Sequence, residues 1–154
     1  MSDWESPHRN VNRGYRKLIV WQDAVEYYVL TCRVFRPFCY ELRRVAANQI
    51  ACVDSVHRNI AEGYCRRSIK EYLQSLNIAL GSLGESVSGL HAYRKAEQIT
   101  GEQFVPADEL AYKLENGLKR LIESLERKRD AGDWNSSFIL KESNAVYGKA
   151  VSND

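Results

Sequence analysis

One short stretch of the sequence is dense in side chains that can do chemistry: Asn59-Ile60-Ala61-Glu62-Gly63, followed by Arg66-Arg67-Ser68, Lys70 and Glu71. Guanidinium and ammonium groups at this density suit phosphate, because an arginine offers a planar fork of N–H donors to two oxygens at once. Upstream, on the same predicted helix, lie Arg43, Arg44 and Arg58. The candidate nucleic-acid-binding set is therefore Arg43, Arg44, Arg58, Arg66, Arg67 and Lys70. Such groups hold the backbone of RNA or DNA without reading its sequence. The same residues also fit a plainer role, a solvated face laced with weak internal salt bridges. Their types and spacing leave both roles open.

The other polar residues of the stretch read as a structural turn formed by Asn59, Glu62, Gly63, Ser68 and Glu71. Asn59 is expected to bond backbone. Glu62 lies near a helix C-terminus, where its charge opposes the dipole and calls for an arginine. Gly63 is placed to cap that helix in a left-handed conformation. Ser68 and Glu71 have the spacing of a capping box that opens the next helix. Glu62 has no second carboxylate or activated nucleophile beside it, so no catalytic residue and no enzyme are expected. His8, His57 and His91 fall at no metal-binding spacing, and Cys32, Cys39, Cys52 and Cys65 form no C-x-x-C pair. Neither a metal nor a cofactor is therefore expected. Trp21 and Tyr28 read as core or interface rather than as a platform for bases.

Four helical segments must position these residues. The first spans about 18–36, with Trp21, Val25, Tyr28, Cys32 and Phe35 on one face before Pro37 stops it. The second spans about 40–63, with Ala46, Ile50, Val53, His57, Ile60 and Tyr64 in the same rhythm. The third spans about 69–98, and its seam of Ile69, Leu73, Leu76, Leu80, Leu83, Val87 and Leu90 repeats as heptads. Small residues flank that seam: Ser75, Ala79, Ser82, Ser86 and Gly89 on one side, Asn77, Gly81, Gly84 and Ser88 on the other. Glycine inside a helix costs about 1 kcal/mol against alanine, so close approach of neighbours on more than one side is expected. The fourth spans about 106–129, with Pro106 in its first turn and Leu110, Leu114, Leu118, Leu121 and Leu125 as its stripe. No β-pattern competes. The fold class is all-α, an up-down-up-down four-helix bundle over 17–129, with a flexible basic arm over 1–16 and a largely irregular tail over 130–154. Phe138-Ile139-Leu140 in the tail fits either docking onto the bundle or a partner-binding peptide.

Charge is uneven along the 154 residues: 12 Lys+Arg against 7 Asp+Glu over 1–70, and 10 against 13 over 71–154. The asymmetry suits an anionic partner, or basic and acidic helices that pair within the bundle. No run approaches the roughly 18 apolar residues of a membrane span. The polar start lacks the apolar core of a signal peptide, so a cytoplasmic location without membrane contact is expected.

Several ordered motifs resemble a known family. Leu18-Ile19-Val20-Trp21-Gln22 opens the first helix. Gln49-Ile50, Asn59-Ile60-Ala61-Glu62-Gly63, Arg66-Arg67-Ser68 and Leu76-Asn77-Ile78-Ala79-Leu80-Gly81-Ser82-Leu83 follow in order. Over about 17–128 the chain resembles the four-helix-bundle proteins encoded in intervening sequences of bacterial 23S rRNA genes, relatives of the accessory variability determinant of diversity-generating retroelements. Asp54, His57 and Arg58 depart from the small and hydroxyl residues usual before Asn59, and Cys65 from a usual glycine. The resemblance implies a homopentamer around a central channel. For the retroelement relatives it also implies binding to nucleic acid and to a reverse transcriptase. Two functions are thus expected to compete: a homo-oligomeric bundle that binds nucleic acid or a nucleoprotein such as a reverse transcriptase, and a structural or protein–protein adaptor that binds none.

Overall fold

A computed structural model describes residues 11–132. The rest of the arm, with Arg9, and the tail from 133 on, with Phe138-Ile139-Leu140, lie outside the described residues. The described residues form four helices and no strand: α1 (Ile19–Phe35), α2 (Arg43–Cys65), α3 (Ile69–Lys95) and α4 (Gly101–Ala131). Each helix packs on the next and α4 returns to α1, so the four close an antiparallel bundle. Short 3-10 turns precede α1 (Val11–Lys17) and α2 (Tyr40–Leu42). The described part of the arm is therefore not free chain. Gly14 lies against the Tyr64 ring, and Tyr15 packs edge-on to Trp21 and Tyr64.

The buried face of α1 is rotated by one residue from the expected one. Val20, Ala24, Tyr27, Thr31 and Val34 are buried; of the expected face Phe35 is buried too, whereas Trp21, Val25, Tyr28 and Cys32 are half-buried on the flank. Both sets run at the same 4-3 rhythm, so spacing alone does not choose between them. Small Ala24 and Thr31 let neighbouring helices come close, and the Thr31 hydroxyl is satisfied by Tyr27 O at 2.7 Å. The same rotation recurs in α2, where Gln49, Val56 and Gly63 join the core while Ile50 and His57 sit at its edge. In α3, Tyr72, Leu76, Ala79, Leu83, Ser86 and Leu90 line the core, and Leu80 and Val87 are half-buried.

Hydrogen bonds make these buried polar residues tolerable. Gln49 Nε2 donates to Ser86 O at 2.9 Å, and Ser86 Oγ donates to Leu83 O at 2.7 Å. With that proton committed, Tyr27 Oη donates to Ser86 Oγ at 2.9 Å. Burial, partly offset by this bond, pushes the Tyr27 hydroxyl up to about 12. Cys52 Sγ reaches Ser82 O at 3.1 Å, and burial raises its thiol to about 11. One core network thereby joins α1, α2 and α3.

Gly63 is not a left-handed cap. Its φ is not positive, α2 runs on to Cys65, and Arg66 ends the helix in an extended conformation (φ −75°, ψ 152°). The glycine is needed for contact instead. A Cβ there would lie 2.8 Å from Ser75 Cβ and 2.8 Å from Tyr72 Cδ2. Gly89 likewise faces the Gln49 side chain. One small-residue flank of α3 is thus closed against α2. At Gly81 and Gly84 on the other flank, no atom lies within 4 Å of an added Cβ. The expected close approach is met on one side only within the protomer.

α4 begins five residues before the predicted start. Thr100 Oγ1 accepts from Gln103 N at 3.1 Å, and Gln103 Oε1 accepts from Thr100 N at 2.9 Å, a complete capping box. Pro106 therefore sits inside the helix rather than in its first turn. Pro106 and Glu102 are both exposed, so the carbonyl that loses its helical donor faces solvent. At the other end Gly132 is the true left-handed cap, with φ 71°.

Gly63→Ala is expected to lower stability by about 1–3 kcal/mol, because the α2–α3 backbones must separate. Gly84→Ala, in open space, should be neutral or stabilising in a monomeric protomer. Urea unfolding followed by circular dichroism checks both, and equal effects would refute the contact assignment. Thr100→Ala should cost about 1 kcal/mol in the same assay.

Candidate nucleic-acid interface

The α2–α3 turn is built from both helix ends. Asn59 Nδ2 donates to Ser55 O at 2.8 Å, so it bonds the preceding turn of its own helix. Glu62 accepts from Arg66 Nη2 at 2.8 Å, and Glu71 lies 4.0 Å from Arg66 Nη1. The hydrogen bond and the charge of Glu62 hold the Arg66 guanidinium above its ordinary pKa. Ser68 Oγ accepts from Glu71 N at 3.5 Å, but the reciprocal half of the capping box is missing. The Glu71 carboxylate turns toward Arg66 instead. Arg66 thus ties the last turn of α2 to the first turn of α3.

The six basic candidates are not one patch. Arg43 opens α2 and Arg66 follows its last residue. At about 1.5 Å per residue, this 23-residue helix keeps them roughly 35 Å apart. Arg43 stacks over the Tyr40 ring. Arg58 is bonded to Asp54, whose other oxygen lies 2.9 Å from His57 Nε2. Partial burial raises the proton affinity of Asp54, yet the hydrogen bonds and charges of His57 and Arg58 outweigh it and hold the carboxyl below its ordinary value. Arg44, Arg67 and Lys70 are exposed and enter no ion pair among the described residues.

The fold brings further cations to Arg67 and Lys70. The turn over Val11–Lys17 packs on the end of α2 through Tyr15 and Tyr64, which carries Arg13, Arg16 and Lys17 to this end. His91 lies against Asp108, at 3.4 Å, which marks the α3–α4 register. Equal steps back along α3 and forward along α4 bring Lys70 level with Arg129, beside Arg127. A chain of edge-to-face contacts, Trp21 on Tyr15, Tyr15 on Tyr64 and Tyr64 on Tyr72, braces the end from within. Arg13, Arg16, Arg127 and Arg129 are visible in the sequence, but as an arm and as a helix terminus. Only the antiparallel topology makes them neighbours of the turn.

This end-on cluster at the α2–α3 turn belongs to a chain whose residues 16–120 match the family described as 23S rRNA-intervening sequence protein. The chain belongs to that family. A solved structure agrees on the fold: a protein of unknown function from the S23 ribosomal protein family of Bacteroides thetaiotaomicron. The two are 20% identical with a TM-score of 0.65, over 71% of this chain and 98% of that one. No curated protein matches significantly. The family match takes in all of α1, α2 and α3 and stops within α4, so Arg127 and Arg129 lie beyond it. Among the described residues, no group of three or more His, Cys, Asp or Glu side chains is placed to hold a metal, and no helix is long and apolar enough to cross a membrane.

Because Arg67 and Lys70 hold no ion-pair partner among the described residues, Arg67→Glu with Lys70→Glu should leave stability within about 0.5 kcal/mol per site. Thermal melting by circular dichroism checks this. A clear loss of melting temperature would mean that the rim holds the fold rather than standing free.

Proposed function

We propose that the chain is a non-enzymatic, self-associating helical bundle that acts in the cytoplasm and binds nucleic-acid backbone through the basic end around Arg67 and Lys70. The observation that supports it is convergence. Three separate segments, 13–17, 66–70 and 127–129, bring cations to one end, and within the α2–α3 turn Arg67 and Lys70 are uncommitted. Backbone phosphate fits such a surface, since cations held on different helices cannot read base edges but do neutralise a charged strand. RNA is the natural form for a family tied to rRNA genes. A nucleoprotein, such as a reverse transcriptase with its RNA, presents the same phosphates.

Self-association has its own support. Ile78 is 50% exposed on the same open flank of α3 as Gly81 and Gly84. Glycine there weakens the helix without serving the protomer. A second copy laid along this flank would recover the loss, and the pentamer implied by the resemblance would carry five basic ends on one particle. No catalytic step is part of this reading. Asp54 engages His57 and Arg58 together, which balances charge instead of leaving a base free.

A filter-binding titration with short RNA tests the reading. Between about 50 and about 200 mM salt, affinity should fall about 10- to 100-fold as counterions are released. Arg67→Glu with Lys70→Glu should weaken binding with the helicity intact. Absent or salt-insensitive binding favours the adaptor alternative and refutes this one. Light scattering of the Gly81→Leu, Gly84→Leu variant should show a smaller particle than the wild type.

A further inference from the structure

The opposite end of α2 carries different chemistry. The α1–α2 connection reads Arg36-Pro37-Phe38-Cys39-Tyr40-Glu41-Leu42-Arg43-Arg44. Phe38 turns inward and packs 4.8 Å from the Phe35 ring, which fixes the connection to the core. Tyr40 turns outward. At 72% exposure it is the most exposed large hydrophobic side chain among the described residues. Yet its ring is held. The Arg43 guanidinium carbon lies 3.7 Å from the ring centroid, and Arg43 Nη1 donates to Tyr40 O at 3.0 Å. One ring face is covered by a cation, and the exposure leaves the other to solvent.

An aromatic face fixed in place and bordered by guanidinium groups is what an unpaired base needs. The base stacks on the ring while cations hold its neighbouring phosphates. A duplex offers no such free face, because its bases are stacked on one another. The flanking charges agree: Arg36, Arg43 and Arg44 are exposed, and Glu41 is the one acid of the segment. Arg43 is pre-ordered by its stack on Tyr40, so less freedom is lost when a phosphate meets its remaining N–H groups.

We propose that the α1–α2 connection is a single-strand site, in which Tyr40 stacks one unpaired base and Arg43, Arg44 and Arg36 hold the adjoining phosphates. The proposal rests on the nucleic-acid reading above and adds to it the strand type and a second contact point. On this view the basic end around Arg67 binds any phosphate backbone, and the Tyr40 end discriminates.

Fluorescence anisotropy with the full chain tests it, using a labelled short oligouridylate and a labelled short RNA duplex at one salt concentration. Tyr40→Ala should weaken oligouridylate binding about 10-fold, the scale of losing one stacked base, and leave duplex binding nearly unchanged. Tyr40→Phe keeps the ring and should bind as the wild type does. Arg43→Lys keeps the charge but not the plane, and should weaken oligouridylate alone. Circular dichroism of each variant confirms the fold. Tyr40→Ala that binds oligouridylate as tightly as the wild type overturns the proposal, as does an equal loss for both probes. If oligouridylate binding falls only with Arg67→Glu and Lys70→Glu, the single-strand site fails and the broader reading stands. If the wild type binds neither probe, both fall.

Discussion

Everything in this bundle depends on how closely α2 and α3 approach. Gly63 lies where any Cβ would meet Ser75 and Tyr72, and Gly89 admits the Gln49 side chain. Between them Cys52 and Gln49 reach the backbone of α3 at Ser82 and Ser86. A helix pair in contact at both ends and bonded between has one register. That register sets where α2 must stop, and so where the turn carrying Arg66, Arg67 and Lys70 stands. It also fixes which ends of α1 and α4 flank that turn. The basic end is a consequence of this packing as much as of the arginines themselves.

The fold class and the rough extent of all four helices are legible in the sequence, because heptad rhythm survives without any knowledge of neighbours. Which face is buried is less legible. In α1 the stripes through Trp21 and through Val20 share one rhythm, and the larger side chains belong to the half-buried set. The core chooses the smaller set because Thr31 is satisfied within its own helix while Tyr27 and Gln49 bond across to Ser86, and a sequence does not show which polar residues will be satisfied. Gly63 and Pro106 mislead for a related reason. Each has a familiar local use, cap or first-turn residue, which the context here overrides. Packing against Tyr72 claims the glycine, and the stronger signal from Thr100 and Gln103 claims the helix start. The Arg66–Glu62 pair follows from spacing alone; the convergence of three basic segments does not, because it needs the antiparallel order of the helices.

The two ends of α2 divide the candidate residues by what each can still do. Arg58 and Arg66 spend their charge on Asp54 and Glu62. Their role is positional: Arg66 joins two helix ends, and Arg58 shares a carboxylate with His57. Arg67 and Lys70 retain full charge in solvent, where attraction is long-ranged, screened by salt and indifferent to sequence. Arg43 is an intermediate case, charged but shaped by the Tyr40 ring beneath it. The proposed division, with strands of any kind held at one end and sorted at the other, would need this inequality among the arginines.

The self-association and the nucleic-acid binding proposed above draw on different parts of the molecule, which would let one chain do both. The flank of α3 with Ile78, Gly81 and Gly84 runs along the side of the bundle, whereas both basic regions lie at its ends. Copies joined side by side keep those ends free and bring equal charges into rings. Repulsion between such rings opposes assembly, and a bound polyanion removes it. In the proposed function, strand binding and subunit association would therefore be coupled in sign: each phosphate neutralised at Arg67 or Lys70 would lower the cost of bringing the next protomer alongside, and each added protomer would raise the local density of cations that the strand meets.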